Sequence, residues 1–216
     1  MTGERFREIY RKERWGRGKG SGDGSDPKYS AVWIEYVQGL IDSGEYRSVL
    51  DVGCGDLRML NALRLPDDVS YWGVDVAMTE KNLVEAQRRN DNLPPNAGLI
   101  FSDVTIPGTL AWLSRNTSFD LVLIKDVLQH LSDEEVMVIS NDLSTLSWKT
   151  VLVANDWRFV RDPKKNTLRR DVNNPYSWSA ISYNHYTLKP LGLREIAYYP
   201  RNRRKQIARA DRETKT

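Results

Sequence analysis

Residues 49–57, VLDVGCGDL, decide the fold class of this 216-residue chain. An apolar strand pattern runs directly into Gly53-Cys54-Gly55, and glycines at the carboxyl end of a strand let the backbone turn tightly and approach a ligand. A second apolar run, YWGVDV, has Asp75 near its end, twenty-two residues after Gly53. An acidic residue there can accept hydrogen bonds from ribose hydroxyls. Together these features predict a nucleoside-binding α/β domain.

Strand and helix patterns alternate along the rest of the chain. Buried, non-alternating strands in this order indicate a Rossmann-like doubly wound sheet, mostly parallel and covered on both faces. Ser132 followed by Glu135 predicts a capping box at the start of a helix. Two last apolar runs predict an antiparallel C-terminal hairpin. The predicted strands are 47–53, 71–76, 98–104, 119–125, 150–156, 193–200 and 203–210, and the predicted helices are 4–15, 30–42, 79–90, 108–116 and 132–146.

Composition limits the class of protein. The charged fraction of 28% and hydrophobic fraction of 40% are ordinary for a globular protein. No apolar run reaches the roughly 18 residues that span a bilayer, and the charged N-terminus has no signal-peptide core. The single cysteine excludes a disulfide framework. We therefore expect a cytoplasmic protein without membrane insertion.

We expect one domain over residues 1–216. Its segments would be N-terminal helices with a glycine-rich lid loop at 1–45 and a cofactor-binding core at 46–156. A substrate-side insert at 157–192 and closing strands with a basic tail at 193–216 would follow. The loop WGRGKGSGDGSDP, which lies between Trp15 and Pro27, holds five glycines and cannot form a regular helix or strand interior. It is either a linker or a lid over a ligand.

The charge is segregated along the chain. Residues 1–28 carry eight Lys/Arg against five Asp/Glu, and residues 201–216 carry seven against two. Such basic ends indicate either a phosphate-bearing partner or simply solvated termini.

The turn after residue 52 also bears on the kind of nucleoside. The dinucleotide pattern G-x-G-x-x-G brings a pyrophosphate to a helix N-terminus, but Asp56, Leu57 and Arg58 follow the second glycine here. Two acidic residues, Asp51 and Asp56, would repel a pyrophosphate. A cationic, phosphate-free cofactor with an amino-acid tail suits this acidic loop better.

These residues resemble the class I S-adenosylmethionine-dependent methyltransferases, over residues 48–156 and the closing strand pair. The chain departs from that family at Leu57, where many members have a third glycine. We expect Cys54 to fill space as a small apolar side chain rather than to act as a nucleophile. The resemblance implies that S-adenosylmethionine binds at Asp51, Gly53, Cys54 and Gly55 with its amino-acid part, at Asp75 and Val76 with its ribose, and at Asp103 and Val104 with its adenine.

The stretch LVLIKDVLQHL, residues 121–131, is apolar in its first four residues and more polar toward its end. One interpretation is a helix start exposed to water, with His130 packed against it. The other places Asp126 and His130 one helical turn apart in a catalytic site, with His130 as general base and Asp126 orienting it. A positioned base contributes roughly 10²–10⁴-fold to a rate, which suits activation of a sugar or alcohol hydroxyl.

The string KDVLQHL followed by LVAND resembles a narrower set of viral and bacterial methyltransferases that decorate glycans, including those that methylate rhamnose in chlorella-virus glycans. The W…SG.GS loop and the RKQ strand of that set also resemble this chain. This resemblance implies one pocket lined by Lys125, Asp126, Gln129, His130, Asn155 and Asp156, with Lys125 toward the cofactor and Gln129, Asp156, Trp157 and Tyr183 toward the acceptor. For Asn155, hydrogen bonding to a turn is the competing interpretation.

Three further features leave alternatives open. Asp126, Asp156 and His130 could hold a divalent metal, but their spacing is not diagnostic, and we predict none. The string NNPY at 173–176 is interpreted as a turn rather than as a DNA methyltransferase motif, because it follows the fifth strand and lacks one proline. Aromatic residues of the insert suit either core packing or stacking on sugars or bases; they are Trp157, Tyr176, Trp178, Tyr183 and Tyr186.

The sequence therefore predicts a methyltransferase that acts on a sugar or small-molecule hydroxyl. A nucleic-acid methyltransferase is the alternative, and it would use the basic ends as a phosphate track. This phosphate track would consist of Arg201, Arg203, Arg204, Lys205 and Arg209. A non-catalytic cofactor-binding subunit is the third possibility.

Overall fold

The computed structural model describes residues 2–12, 14, 21–77, 96–113, 115, 117–156, 181–198 and 205–212. It contains a seven-stranded sheet in the order β3-β2-β1-β4-β5-β7-β6. The chain divides into two compact units, Met1–Asp103 and Val104–Thr216. The elements are α1 (Thr2–Arg11), α2 (Pro27–Asp42), β1 (Ser48–Val52), β2 (Ser70–Asp75), β3 (Ala97–Phe101), α3 (Thr109–Leu113), β4 (Leu121–Lys125), α4 (Asp133–Thr145), β5 (Thr150–Asp156), β6 (Arg194–Tyr198) and β7 (Lys205–Asp211).

The first unit is built on three parallel strands. β1 pairs with β2, and β2 pairs with β3. The strands β1 and β2 are apolar because they are covered: Val49, Leu50 and Val74 are fully buried. Helix α2 begins at Pro27, after Asp26 accepts a hydrogen bond from the Lys28 N–H as its N-cap. Parallel strands direct their carboxyl ends to the same edge of the unit, and the glycine-rich turn follows there.

The second unit combines parallel and antiparallel pairing. β4 and β5 are parallel, whereas β7 runs antiparallel to both β5 and β6. The whole of β4 is buried. Helix α4 begins with Ser132 and Glu135 in a capping box. The carboxylate of Asp142 on α4 accepts from the N–H groups of Gly108 and Leu110 and thereby fixes the start of α3.

The predicted fold class is confirmed: the strands lie where the apolar runs placed them, and the C-terminal strands are antiparallel. The capping box at Ser132 is also confirmed. Among the described residues no helix has the length and apolarity that crossing a bilayer requires. Several predictions lie outside the described residues, namely the helix at 79–90, the loop residues 15–20, the insert residues 157–180 with Trp157, Tyr176, Trp178 and NNPY, and Arg201, Arg203 and Arg204.

Candidate functional site

The turn after β1 has the backbone conformation that its glycines predict. Gly53 and Gly55 have φ angles of 78° and 56°, in the left-handed region that favours glycine. The N–H groups of Gly53 and Cys54 both donate to the carbonyl of Val74, at 2.7 and 3.3 Å. These bonds hold the turn against the end of β2.

Leu57 occupies the position of the third glycine and adopts a backbone conformation that glycine favours. Its φ is positive, at 62°, although a side chain is strained there. Its side chain is only 1% exposed, so burial of the leucine offsets the backbone strain. The turn thus keeps the shape that a glycine would favour without having one.

Asp75 at the end of β2 fixes this turn. Its Oδ2 accepts from the Gly55 N–H at 2.9 Å and its Oδ1 from the Ala77 N–H at 2.7 Å. Burial raises the pKa of Asp75 above its ordinary value of 3.8, against the opposing effect of these N–H groups, and the charge of Asp56 raises it further. A carboxylate has about four lone-pair positions, more than these two N–H groups use, so Asp75 can also accept from a ligand hydroxyl.

Two further carboxylates of the turn are held in place. The Tyr71 hydroxyl donates to Asp51 at 2.8 Å, and Arg58 lies 3.0 Å from Asp56. Asp103 follows β3 in the same unit, and Val76 follows Asp75 directly. The structure therefore places the residues predicted for the cofactor, from Asp51 to Asp103, at the carboxyl ends of the three parallel strands of this unit. Val104 begins the second unit and is 9% exposed.

Cys54 behaves as a packing residue. It is buried, and its Sγ would lie 2.8 Å from a Cβ added at Gly73 of β2. Burial raises the pKa of the Cys54 thiol well above its ordinary value. A neutral, buried thiol is not a nucleophile, which agrees with the expected role as a small apolar filler.

A group of charged and polar residues collects where β4 and β5 end and β7 begins; we call it the Asp126 cluster. Lys125 Nζ lies 2.5 Å from Asp126 Oδ2, and Lys205 Nζ donates to Asp126 Oδ1. Lys205 Nζ is also 3.9 Å from Asp156 Oδ1. The Asp156 N–H donates to Gln129 Oε1 at 2.7 Å. The cluster consists of Lys125, Asp126, Gln129, Asp156 and Lys205.

Asp126 is strongly held in its ionised form. Burial alone would raise its pKa, but the ammonium groups of Lys125 and Lys205 outweigh that effect and hold the pKa well below its ordinary value. The backbone of Asp126 is left-handed, with φ at 59°, and its N–H donates to the Ala154 carbonyl at 2.8 Å. A non-glycine residue in this conformation is typical of functional sites.

The predicted helical turn from Asp126 to His130 is wrong. The left-handed φ of Asp126 is incompatible with a helix, and only Leu128–His130 form a short 3-10 turn. The carboxylate of Asp126 contacts Lys125 and Lys205 instead of the imidazole. His130 Nε2 lies 3.5 Å from Gln129 Nε2, so His130 is next to the cluster through Gln129.

The sequence prediction missed Lys205 as a member of this site. It lies 79 residues from Asp126 and faces Asp156 across the β5–β7 pair. The alternative of a nucleic-acid methyltransferase places Lys205 on a phosphate track, but its side chain is 12% exposed and paired with Asp126. The only hint in the sequence was the RKQ resemblance.

Tyr183, which was predicted to lie at the acceptor, and Asn155, which was predicted to line the same pocket, are not among the residues of the Asp126 cluster. The Tyr183 N–H donates to Gln206 Oε1 at 3.2 Å, next to a 3.4 Å bond from the Ser182 hydroxyl. Asn155 is 4% exposed, and its buried Oδ1 accepts no hydrogen bond from the described residues. Hydrogen bonding of Asn155 to a turn through its other polar atoms stays a prediction. Within the described ranges, no three His, Cys, Asp or Glu side chains are grouped to hold a metal ion.

Comparison with known proteins gives a consistent picture. Residues 50–140 match a protein family described as methyltransferase domain. A small RNA 2′-O-methyltransferase of Mus musculus is 22% identical over 164 residues, which cover 71% of this chain and 40% of the mouse protein. The chain therefore spans less than half of that relative.

Solved structures with the same architecture include an O-methyltransferase family protein from Burkholderia thailandensis. It has a TM-score of 0.63 at 15% identity, over 87% of this chain and 57% of that one. Magnesium protoporphyrin IX methyltransferase from Synechocystis PCC 6803, solved with bound S-adenosylhomocysteine, has a TM-score of 0.55 at 18% identity, over 97% and 93%. At these identities the likeness establishes the fold, which is the α/β Rossmann-like fold of methyltransferases.

Proposed function

We infer that this chain is a class I S-adenosylmethionine-dependent methyltransferase. The methyltransferase-domain match over residues 50–140 and the solved methyltransferases of the same fold support this assignment. The observation that carries it is the Asp75 carboxylate, which the N–H groups of Gly55 and Ala77 hold at the end of β2.

The donor set of the first unit fits this cofactor. Asp51 and Asp75 place negative charge beside the glycine turn, which suits a sulfonium and an α-ammonium group and disfavours a pyrophosphate. Asp75 has lone pairs available for the ribose hydroxyls, and Asp103 is proposed to accept from the adenine amino group. When bound, the cofactor supplies an electrophilic methyl group.

We propose a hydroxyl group on a sugar or small molecule as the methyl acceptor, with His130 as general base. Imidazole is the side chain best suited to exchange a proton near neutral pH. His130 takes the proton that the acceptor hydroxyl loses as its oxygen is methylated. Positioning of the acceptor supplies the larger share of the rate, and Gln129, Asp156, Trp157 and Tyr183 are proposed to provide it.

The contacts of Asp126 change its proposed role. Because its carboxylate pairs with Lys125 and Lys205 rather than with the imidazole, Asp126 does not orient His130. We propose instead that Asp126 is the fixed counter-charge that holds the ammonium of Lys205 at the acceptor. The role of Lys125 in cofactor binding stays a prediction.

The ribose 2′-hydroxyl of RNA is the second candidate acceptor. The similarity to a small RNA 2′-O-methyltransferase favours it, and that hydroxyl is itself a sugar hydroxyl. The described part of the basic tail argues against a phosphate track. Lys205 is paired with Asp126, and Arg209 is paired with Asp211 at 2.7 Å.

Calorimetric titration with S-adenosylmethionine and S-adenosylhomocysteine tests the cofactor assignment. We expect wild type to bind both and Asp75→Ala to lose binding, because the ribose hydroxyls lose their acceptor. The matched control is Asp68→Ala in the same unit, whose carboxylate pairs with Arg47 on the surface. Equal binding by wild type and Asp75→Ala would overturn the assignment of Asp75.

Transfer of a radiolabelled methyl group tests the acceptor. Methyl rhamnoside, other free glycosides and a short RNA are offered in parallel, with and without magnesium. We expect transfer to a glycoside that His130→Asn slows by about 10²-fold or more at neutral pH, with less effect at alkaline pH. Transfer to RNA alone favours the second candidate, and cofactor binding with no transfer to any acceptor favours a non-catalytic subunit.

A further inference from the structure

The N-terminal residues contact two parts of the predicted cofactor site in the first unit, the ends of β2 and β3 and the glycine turn. Gly3 approaches Val76 and Asp103, since a Cβ added at Gly3 would lie 2.7 Å from Val76 Cγ2 and 2.5 Å from Asp103 Oδ2. Arg7 Nε donates to the Val76 carbonyl at 3.2 Å. The helix α1 therefore lies against the ends of β2 and β3, where the ribose and adenine are proposed to bind.

The other end of the same region contacts the glycine turn. The Tyr10 hydroxyl and the Ser21 Oγ are 2.9 Å apart. A Cβ added at Gly55 would collide with Ser21 Oγ and lie tightly against the Tyr10 hydroxyl at 3.0 Å. Ser21 and Asp56 exchange two hydrogen bonds: the Asp56 N–H donates to Ser21 Oγ at 3.1 Å, and the Ser21 N–H donates to Asp56 Oδ2 at 3.3 Å. Ser21 is 5% exposed.

We propose that Gly3, Arg7, Tyr10 and Ser21, which we call the N-terminal cover, form the outer wall of the cofactor site. Tyr10 and Ser21 position the turn at the end that receives the amino-acid tail of the cofactor. Gly3 borders the end that receives the adenine. This inference rests on the proposed cofactor, and it assigns binding roles to residues of α1 that no motif indicated.

The side chains of the N-terminal cover suit the two ends of the cofactor to which they are assigned. Tyr10 stays a neutral hydrogen-bond donor, because burial and the nearby charge of Asp75 raise the pKa of its hydroxyl well above its ordinary value. Ser21 holds Asp56 through both a donor and an acceptor. At Gly3 any side chain would press on Asp103 and Val76, so the absence of a side chain is what allows the close approach.

Two ligands separate the two ends of the cover. S-adenosylhomocysteine carries both the amino-acid tail and the adenosyl group, whereas 5′-methylthioadenosine lacks the tail. We expect Tyr10→Phe and Ser21→Ala to weaken binding of S-adenosylhomocysteine about 10-fold, the equivalent of one hydrogen bond, and to leave binding of 5′-methylthioadenosine nearly unchanged. We expect Gly3→Ala to weaken both ligands alike.

Glu8→Ala is the matched control, because Glu8 lies on the exposed side of α1 and pairs with Lys12; it should change neither affinity. Hydrogen exchange of wild type adds a readout that needs no variant, and the amides of α1 should gain protection when S-adenosylhomocysteine binds. Binding that the variants leave unchanged, or that they strengthen, overturns the inference. Failure of wild type to bind either ligand instead overturns the proposed cofactor, and the inference with it.

Discussion

At the residue scale, Asp126 combines a strained backbone with a buried charge. Its φ of 59° costs free energy relative to an extended or helical residue. Its carboxylate in turn holds two ammonium groups, from Lys125 and Lys205, whose side chains are 5% and 12% exposed. Without this carboxylate both ammonium groups would lose a close ion pair, and Lys205 would keep the longer contact with Asp156 at 3.9 Å. The charge of Asp126 therefore stabilises the ends of β4 and β7.

We predict that Asp126→Asn lowers the free energy of unfolding by about 3 kcal/mol at neutral pH, the usual cost of breaking a buried ion pair. The folded protein has a lowered Asp126 pKa, so its stabilisation is present above the ordinary value of 3.8. It is lost as the pH falls toward the lowered value. Urea unfolding at pH 7 and at acidic pH measures the difference between wild type and variant, which should shrink in acid.

The control for this prediction is Asp68→Asn, which removes an exposed carboxylate paired with Arg47. Surface pairs contribute about 1 kcal/mol or less, so this variant should unfold nearly as wild type does. Equal losses for the two variants would contradict the special role of Asp126.

Asp75 gives a second pH prediction, from a pKa shift in the opposite direction. Its pKa is raised by burial, and only the carboxylate form can accept both ribose hydroxyls. We therefore expect affinity for S-adenosylhomocysteine to be full at neutral pH and to fall as the pH drops through this raised pKa. The fall begins at a higher pH than an ordinary aspartate would give. Calorimetry across the acidic range should show this fall for wild type and a weak, flat profile for Asp75→Asn.

At the element scale, the strands were predictable and the residues that follow them were less so. Buried apolar runs such as Leu121–Ile124 have few alternatives to a covered strand, and Ser132 with Glu135 marks a helix start by chemistry alone. The turn from Asp126 to His130 was not predictable, because the Asp126 carboxylate pairs with Lys205 from a strand 79 residues away. Leu57 is a similar case, since its burial offsets a conformation that glycine would favour.

The capping box of α4 supports a prediction for that helix. Ser132 Oγ accepts from the Glu135 N–H at 3.3 Å, and Glu135 Oε2 accepts from the Ser132 N–H at 2.8 Å. We expect Ser132→Ala to lower the free energy of unfolding by about 1 kcal/mol, because an N-terminal amide loses its partner. Thermal unfolding measures this loss. Ser144→Ala, at the exposed end of the same helix, should lose clearly less; an equal loss would contradict the capping role.

At the scale of the whole molecule, the described part of the basic C-terminal segment forms ion pairs and hydrogen bonds within the fold. Arg194 and Arg209 both pair with Asp211. Arg212 lies 3.9 Å over the Trp148 ring and donates to the carbonyl of Ser144 at 2.8 Å. Net charge along the sequence predicted either a phosphate-bearing partner or solvated ends. In residues 205–212 many of these charges instead hold β7 to its neighbours, and sequence alone could not reveal that pairing.

The pairing of Lys205 with Asp126 predicts how the affinity for RNA should depend on salt concentration. A lysine that contacts phosphate contributes about 0.7 to the slope of the logarithm of affinity against the logarithm of salt concentration for a single strand. The charge of Lys205 is already neutralised by Asp126, so we predict that Lys205→Gln leaves that slope unchanged while it lowers the free energy of unfolding. Filter binding of a short single-stranded RNA across a salt series, with urea unfolding in parallel, measures both quantities. A slope that falls by about 0.7 with unchanged stability would place Lys205 on a phosphate and favour RNA as acceptor. RNA binding too weak to measure at low salt would leave the glycoside hydroxyl as the acceptor to pursue.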